Sequence, residues 1–259
     1  MNRTFNFWLL SALLVGCGND DKAAKPSEPS EPRPIDAELA AQGRDIFRFD
    51  TFGNESFWTD ALHMNTVIAA AVDPTTALAV GLKVDAQKLP NEVVAGIVDG
   101  SISLTEPSTT VALLELGAVV GVQGKVELVD GEKALVSVGI TCALCHSTVD
   151  DSFAPGIGAR LDGWANGDLN PGAIIALSPA LPDDVKTVYG SWGAGKYDPR
   201  FNQDGQNGPQ VIPPAYGLLG VARITTTGDG EDLQYWNRYV AVTQMGGHGT
   251  FEELSLIHI

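Results

Sequence analysis

"SVGITCALCHSTVD", residues 137–150, sets Cys142 and Cys145 three positions apart with His146 directly behind the second. Three chemistries use such a pair: a redox dithiol, half of a zinc cage, and a covalent seat for haem. Each makes a different demand on the rest of the chain, so the surroundings of the motif decide between them.

The cysteine inventory is the first constraint. The chain holds three cysteines, Cys17, Cys142 and Cys145. An exported domain held together by disulfides carries more. A zinc cage needs four ligands, and no second Cys/His pair follows at finger spacing. A dithiol of the thioredoxin kind wants a βαβ setting, and it leaves His146 without a purpose. Haem c uses all three residues: each thiol adds to a vinyl group, and the adjacent imidazole reaches the iron. "CALCH" resembles the attachment site of c-type cytochromes, and the dithiol is the next alternative.

The ends of the chain suggest export. Phe5–Val15 is an apolar run too short to span a membrane as a stable helix, and Arg3 precedes it. The run closes with Leu14-Val15-Gly16-Cys17, which resembles the lipobox of bacterial lipoproteins. That resemblance implies a signal peptide over 1–16 and a lipidated Cys17. An ordinary secretory signal is the alternative. Residues 19–34, "NDDKAAKPSEPSEPRP", hold four prolines and no apolar side chain larger than alanine, so 17–35 reads as an extended tether. The formal charge is −16, and cleavage before Cys17 removes only Arg3 and leaves −17. Such a charge argues against nucleic acid as a partner and suits a basic partner or a small molecule. "LSLIHI", Leu254–Ile259, fits no helix end and matches one reading frame of a sequencing-adaptor transposon end. It reads as non-native, with the gene continuing beyond Glu253.

Between these ends, 36–253 reads as one haem domain. "IDAELAAQGRDIF" (35–47) predicts a first helix capped by Asp36, with Leu39, Ile46 and Phe47 near one face. "FWTDALHMNTVIAAAV" (57–72) predicts a second, with Trp58, Leu62 and Ala69 on one side. Short helices follow from Asp73-Pro74 to about Leu82 and over Pro107–Leu116. Residues 118–139 alternate as a β-hairpin turned at Asp130-Gly131 and lead directly into the motif. Residues 150–181, rich in glycine and proline, read as loops suited to wrapping a flat cofactor. Glu231–Gln244 predicts a late helix, with Leu233, Trp236 and Val240 on one face. The fold class is mainly α with long loops and a small β-hairpin.

His146 is the candidate proximal iron ligand. The second axial ligand needs nitrogen or sulfur, and four residues qualify: Met245 first, then His248, Met64 and His63. Met245 leads because it arrives late in the chain, just before Gly246-Gly247, which can bend backbone around a haem edge. Arg160 and Arg223 are candidate partners for haem propionates. Asp198–Gly208 lacks EF-hand spacing and reads as a polar turn rather than a calcium loop.

"AAQGRDIF" is similar to the opening helix of cytochrome c domains, but Gly43 and Cys142 lie 99 positions apart. The resemblance therefore implies a cytochrome c-like domain with an insertion over about 50–138. "SFAPGIGARLDGW" is similar in layout to the stretch behind the first haem of diheme cytochrome c peroxidases and rubber-oxygenase-like proteins. Those enzymes often place a histidine in that loop, and residues 147–247 contain none. The expected function is a periplasmic or cell-surface lipoprotein that carries electrons on one haem c to a redox partner protein. The alternative is the N-terminal part of a diheme peroxidase or oxygenase.

Lipidation has a direct check. Cells fed labelled palmitate should label the wild-type chain and leave Cys17→Ala unlabelled; equal labelling of the two removes the anchor.

Overall fold

The computed structural model describes residues 36–218, 221, 223–224 and 233–248. The readings of the signal peptide, Cys17, the tether, Glu231-Asp232 and Leu254–Ile259 lie outside the described residues. In chain order the elements are α1 (Ala37–Phe49), a π-helical segment (Ser56–Ala61), α2 (Met64–Ala71), α3 (Pro74–Ala79), β1 (Val84–Asp85), α4 (Asn91–Asp99), α5 (Pro107–Glu115), β2 (Val122–Val129) and β3 (Glu132–Ile140). Then come α6 (Ala143–His146), β4 (Ser147–Val149), β5 (Ile157–Gly158), β6 (Arg160–Asp162), α7 (Pro171–Ala176), α8 (Asp183–Gly190), β7 (Lys196–Tyr197), α9 (Phe201–Asp204), β8 (Gln210–Val211), α10 (Leu233–Tyr239) and a second π-helical segment (Val240–Gln244). Helices joined by long loops are as expected. The strand content is wider than one hairpin, because β1–β5, β4–β6 and β7–β8 also pair, each as a two-stranded sheet.

Local chemistry explains the boundaries. Asp36 caps α1, its carboxylate accepting from the N–H groups of Glu38 and Leu39. Asp73 caps α3 in the same way, with Pro74 at the first helical position. The β2–β3 hairpin closes at Asp130-Gly131 with φ of 53° and 87°, the two-residue turn whose backbone twist matches that of the strands.

The expected single helix over 57–72 is broken. His63 sits in the left-handed region at φ 55°, between the π-helical segment and α2. Trp58, Leu62 and Met64 are all buried. Six residues of α-helix rotate by roughly 600°, so Trp58 and Met64 of an unbroken helix would point about 120° apart. The break brings both into one core. Besides the short α6, α7 and α9, two helices of eight residues or more are absent from the sequence reading, α4 and α8. Each follows a proline directly (Pro90, Pro182) and opens with acid in its first turn, and α4 ends on Gly100 at φ 77°. Nor is 150–181 a continuous loop, since β5, β6 and α7 fall within it.

The main core gathers Trp58, Met64, Leu113, Leu114, Val122 and Leu144 among others, from α2, α5, the hairpin and α6. Two smaller clusters meet at Cys142: Phe47, Val120, Ala143 and Val149 on one side, and Phe52, Ala241 and Met245 on the other.

Gly121 holds α6 against the start of β2. Its φ is +77°, and a Cβ there would run into the backbone nitrogen of Leu144. Gly121→Ala should lower stability by about 2–5 kcal/mol, combining left-handed strain with overpacking. Gly100→Ala, at the same φ with open space around it, should cost only about 1–2 kcal/mol. Urea unfolding of both variants measures the difference, and equal losses would show that Gly121 is not a contact point.

Candidate functional site

The site is the turn from Thr141 to His146, which is bonded to its neighbours on every side. Upstream, the side chain of Asn54 pairs with Ile140 as a strand would: its Nδ2 donates to Ile140 O at 2.8 Å, and Ile140 N donates to its Oδ1 at 3.0 Å. Thr141 N donates to Gly121 O at 2.9 Å, and its hydroxyl donates to Arg48 O at 3.2 Å. Within the turn, His146 N donates to Cys142 O. Downstream, Asn166 N donates to Cys145 O at 2.9 Å, Gly163 N donates to His146 O at 2.8 Å, and Asn166 Nδ2 reaches Leu144 O.

The imidazole is oriented as tightly as the backbone. His146 Nδ1 lies 2.9 Å from Pro213 O. A carbonyl only accepts, so Nδ1 carries the proton and Nε2 keeps its lone pair. Burial pushes the imidazolium pKa below its ordinary value, and the bond to Pro213 opposes this more weakly. The neutral ring is therefore favoured. A neutral histidine with one nitrogen tied to a carbonyl is the arrangement that prepares the other to bind a metal.

The two thiols are strongly desolvated. Burial pushes both Cys142 and Cys145 up to about 12; Asp50 adds to the effect at Cys142, and Cys142 adds to it at Cys145. Yet both residues keep part of their accessible surface. A dithiol catalyst works through a thiolate of depressed pKa, the opposite condition. Among the described residues, no three His, Cys, Asp or Glu side chains converge as a metal cage.

Of the four candidates for a second ligand, Met245 is buried in the small cluster against which Cys142 packs. Its carbonyl accepts from Trp58 Nε1 at 2.9 Å and its N–H donates to Val240 O at 3.0 Å. Gly247 N donates to Ala241 O, and His248 N donates to Phe52 O at 2.7 Å, which seats the whole 245–248 segment beside residues 52–58. Gly246, at φ +76°, is needed there, because a Cβ would come within 2.6 Å of the Phe57 ring. The His248 side chain lies at the surface with its ring against Gly53. Met64 sits in the main core, away from the Met245 cluster, and His63 is exposed.

Arg160 is almost wholly buried, its side chain 4% exposed. Its Nε donates to Asp162 at 3.0 Å, while its buried Nη2 has no hydrogen-bond partner. Arg223 is exposed. Asp198 behaves as a turn residue: its carboxylate accepts from the N–H groups of Arg200, Phe201 and Gly208. Asn54, Asn166 and Pro213 shape the site and were not picked out from sequence. The one advance signal was the Pro213-Pro214 pair, which favours an extended backbone with outward carbonyls.

Comparison of the chain with models of protein families, with curated proteins and with solved structures finds no match in any of the three.

The raised thiol pKa values give a measurable outcome. In polypeptide without a cofactor at pH 8, both cysteines should react with a thiol-specific reagent on the order of a thousandfold more slowly than an ordinary cysteine, since about three pKa units separate them. Stoichiometric labelling at the rate of a free thiol would restore the dithiol reading.

Proposed function

We propose that this chain is an exported c-type cytochrome that carries electrons on a single covalently bound haem. The observation that carries the reading is the bond from His146 Nδ1 to Pro213 O beside two desolvated thiols. It turns a three-residue motif into an oriented metal ligand flanked by two attachment points.

The residues present fit the group. Cys142 and Cys145 would hold it, each S–H adding across a vinyl double bond, sulfur to one carbon and hydrogen to the other, with no oxidant consumed. His146 Nε2 would bind the iron, and Met245 is the candidate second ligand. Arg160 Nη2, a buried cationic donor without a partner, complements a propionate carboxylate. When bound, the group supplies a reversible one-electron couple.

The chain's own part is positional. Pro213 holds the imidazole in one tautomer and orientation, so Nε2 would be presented to a metal from one direction. Trp58 and the Gly246-Gly247 bend fix Met245, and thioether ligation favours a higher potential than two imidazoles do. The apolar clusters packed at Cys142 would lower the local dielectric and favour the less charged state of a bound group. A formal charge of −16 favours a redox partner with a basic face. The cytochrome c-like fold with its long insertion, lipid attachment at Cys17 and a periplasmic or cell-surface location belong to the same reading.

Protein made alongside a haem-attachment system should keep its haem mass after denaturation and give a thioether-type pyridine haemochrome. Two free thiols by mass spectrometry would end the proposal. In the same preparation Met245→Leu, which keeps the volume and removes the sulfur, should abolish the weak red sulfur-to-iron band. It should also lower the potential by on the order of a tenth of the ~0.8 V that axial ligands span. An unchanged spectrum assigns the second position to another residue.

A further inference from the structure

A second site lies in the main core, separate from the motif. An apolar cavity of about 70 Å³ opens between α2, α3, α5 and the hairpin, walled by side chains such as Met64, Ala77, Val84 and Leu113. One wall is Leu144, the buried residue between the two cysteines. The exposed wall is carbon throughout: Thr110 and Trp58 also line it, but the Thr110 hydroxyl is buried away from the space and the Trp58 N–H is spent on the Met245 carbonyl. Leu78 lines this cavity and also a polar surface recess bounded by Lys83, Asp151 and Asp168.

We infer that this cavity binds small, uncharged, wholly apolar molecules of gas size, and that Leu78 separates it from solvent. Three observations define the ligand class. A buried water needs two to four polar partners, and the wall offers none, so water is a poor occupant. A charged ligand has no counter-ion in the wall. The volume is about half of the ~150 Å³ at which an apolar cavity admits benzene, which limits the guest to a few heavy atoms. Access runs through the recess on the far side of Leu78, whose side chain is only half buried and has rotamers to exchange. The inference uses nothing of the haem reading, although Leu144 would pass occupancy to the motif as a packing change.

Xenon serves as the probe. Methyl-labelled full-length protein should show saturable shifts under xenon pressure at Leu78, Leu113 and Ile174, with exposed Leu128 and Val129 unaffected. Ala77→Leu should weaken xenon binding at least tenfold by filling the space. Val84→Ile, a single added methylene, should weaken it severalfold and covers the case in which the larger variant does not fold. Non-saturating shifts spread over exposed methyls, or wild-type xenon affinity in Val84→Ile and in folded Ala77→Leu, would overturn the site.

Discussion

A helix of four residues cannot hold its own shape in water, because fixing one turn costs more conformational freedom than one or two hydrogen bonds return. α6 is therefore defined from outside. The carbonyls of Leu144, Cys145 and His146 each accept from the 163–166 loop. Its approach is set by Asn54 and Gly121, and its packing by three apolar clusters that all include or touch residues 142–145. The reactive residues are rigid because elements from most of the described chain converge on them. This is also why the site depends on the stretch between α1 and the motif. Asn54, Trp58 and Gly121 all lie within it, and each holds one part of the site.

Charge is used in the same way just behind the motif. Asp162 accepts from Arg48 Nε at 2.6 Å, Arg160 Nε at 3.0 Å and Ser147 Oγ at 2.9 Å, tying α1 to the residue that follows His146. Partly buried ion pairs add little net stability, since desolvation offsets their attraction. Their contribution here is geometric: one carboxylate gathers three donors from different elements, so removing Asp162 would leave both arginines without it.

Much of this was legible in the sequence where chemistry is local. The cap at Asp36, the Asp130-Gly131 turn, the proline-led α5 and the delivery of β3 into the motif depend on neighbours within a few positions. The broken helix at His63 was not legible, because the reason for the break is tertiary: Trp58 must reach the carbonyl of Met245, 187 positions away, while Met64 fills the main core. Asn54 looks like an ordinary polar loop residue until Ile140 is placed beside it. Pro213 is similar, for nothing in its surroundings hints that its carbonyl will meet a particular imidazole. The motif's residue types were readable; the groups that orient them were not.

The bond between Trp58 and Met245 has a consequence for how the protein is made. A chain that emerges N-terminus first presents α1, the hairpin and the Cys-x-x-Cys-His turn while Pro213 and Met245 are still to come. For an interval the thiols stand beside only one of their walls, and the imidazole has no carbonyl to hold it. Anything to be joined covalently to those sulfurs meets an open, more acidic pair then and a closed, unreactive pair later. For any such group, synthesis order would set the window, and the arrival of the 245–248 segment would close it.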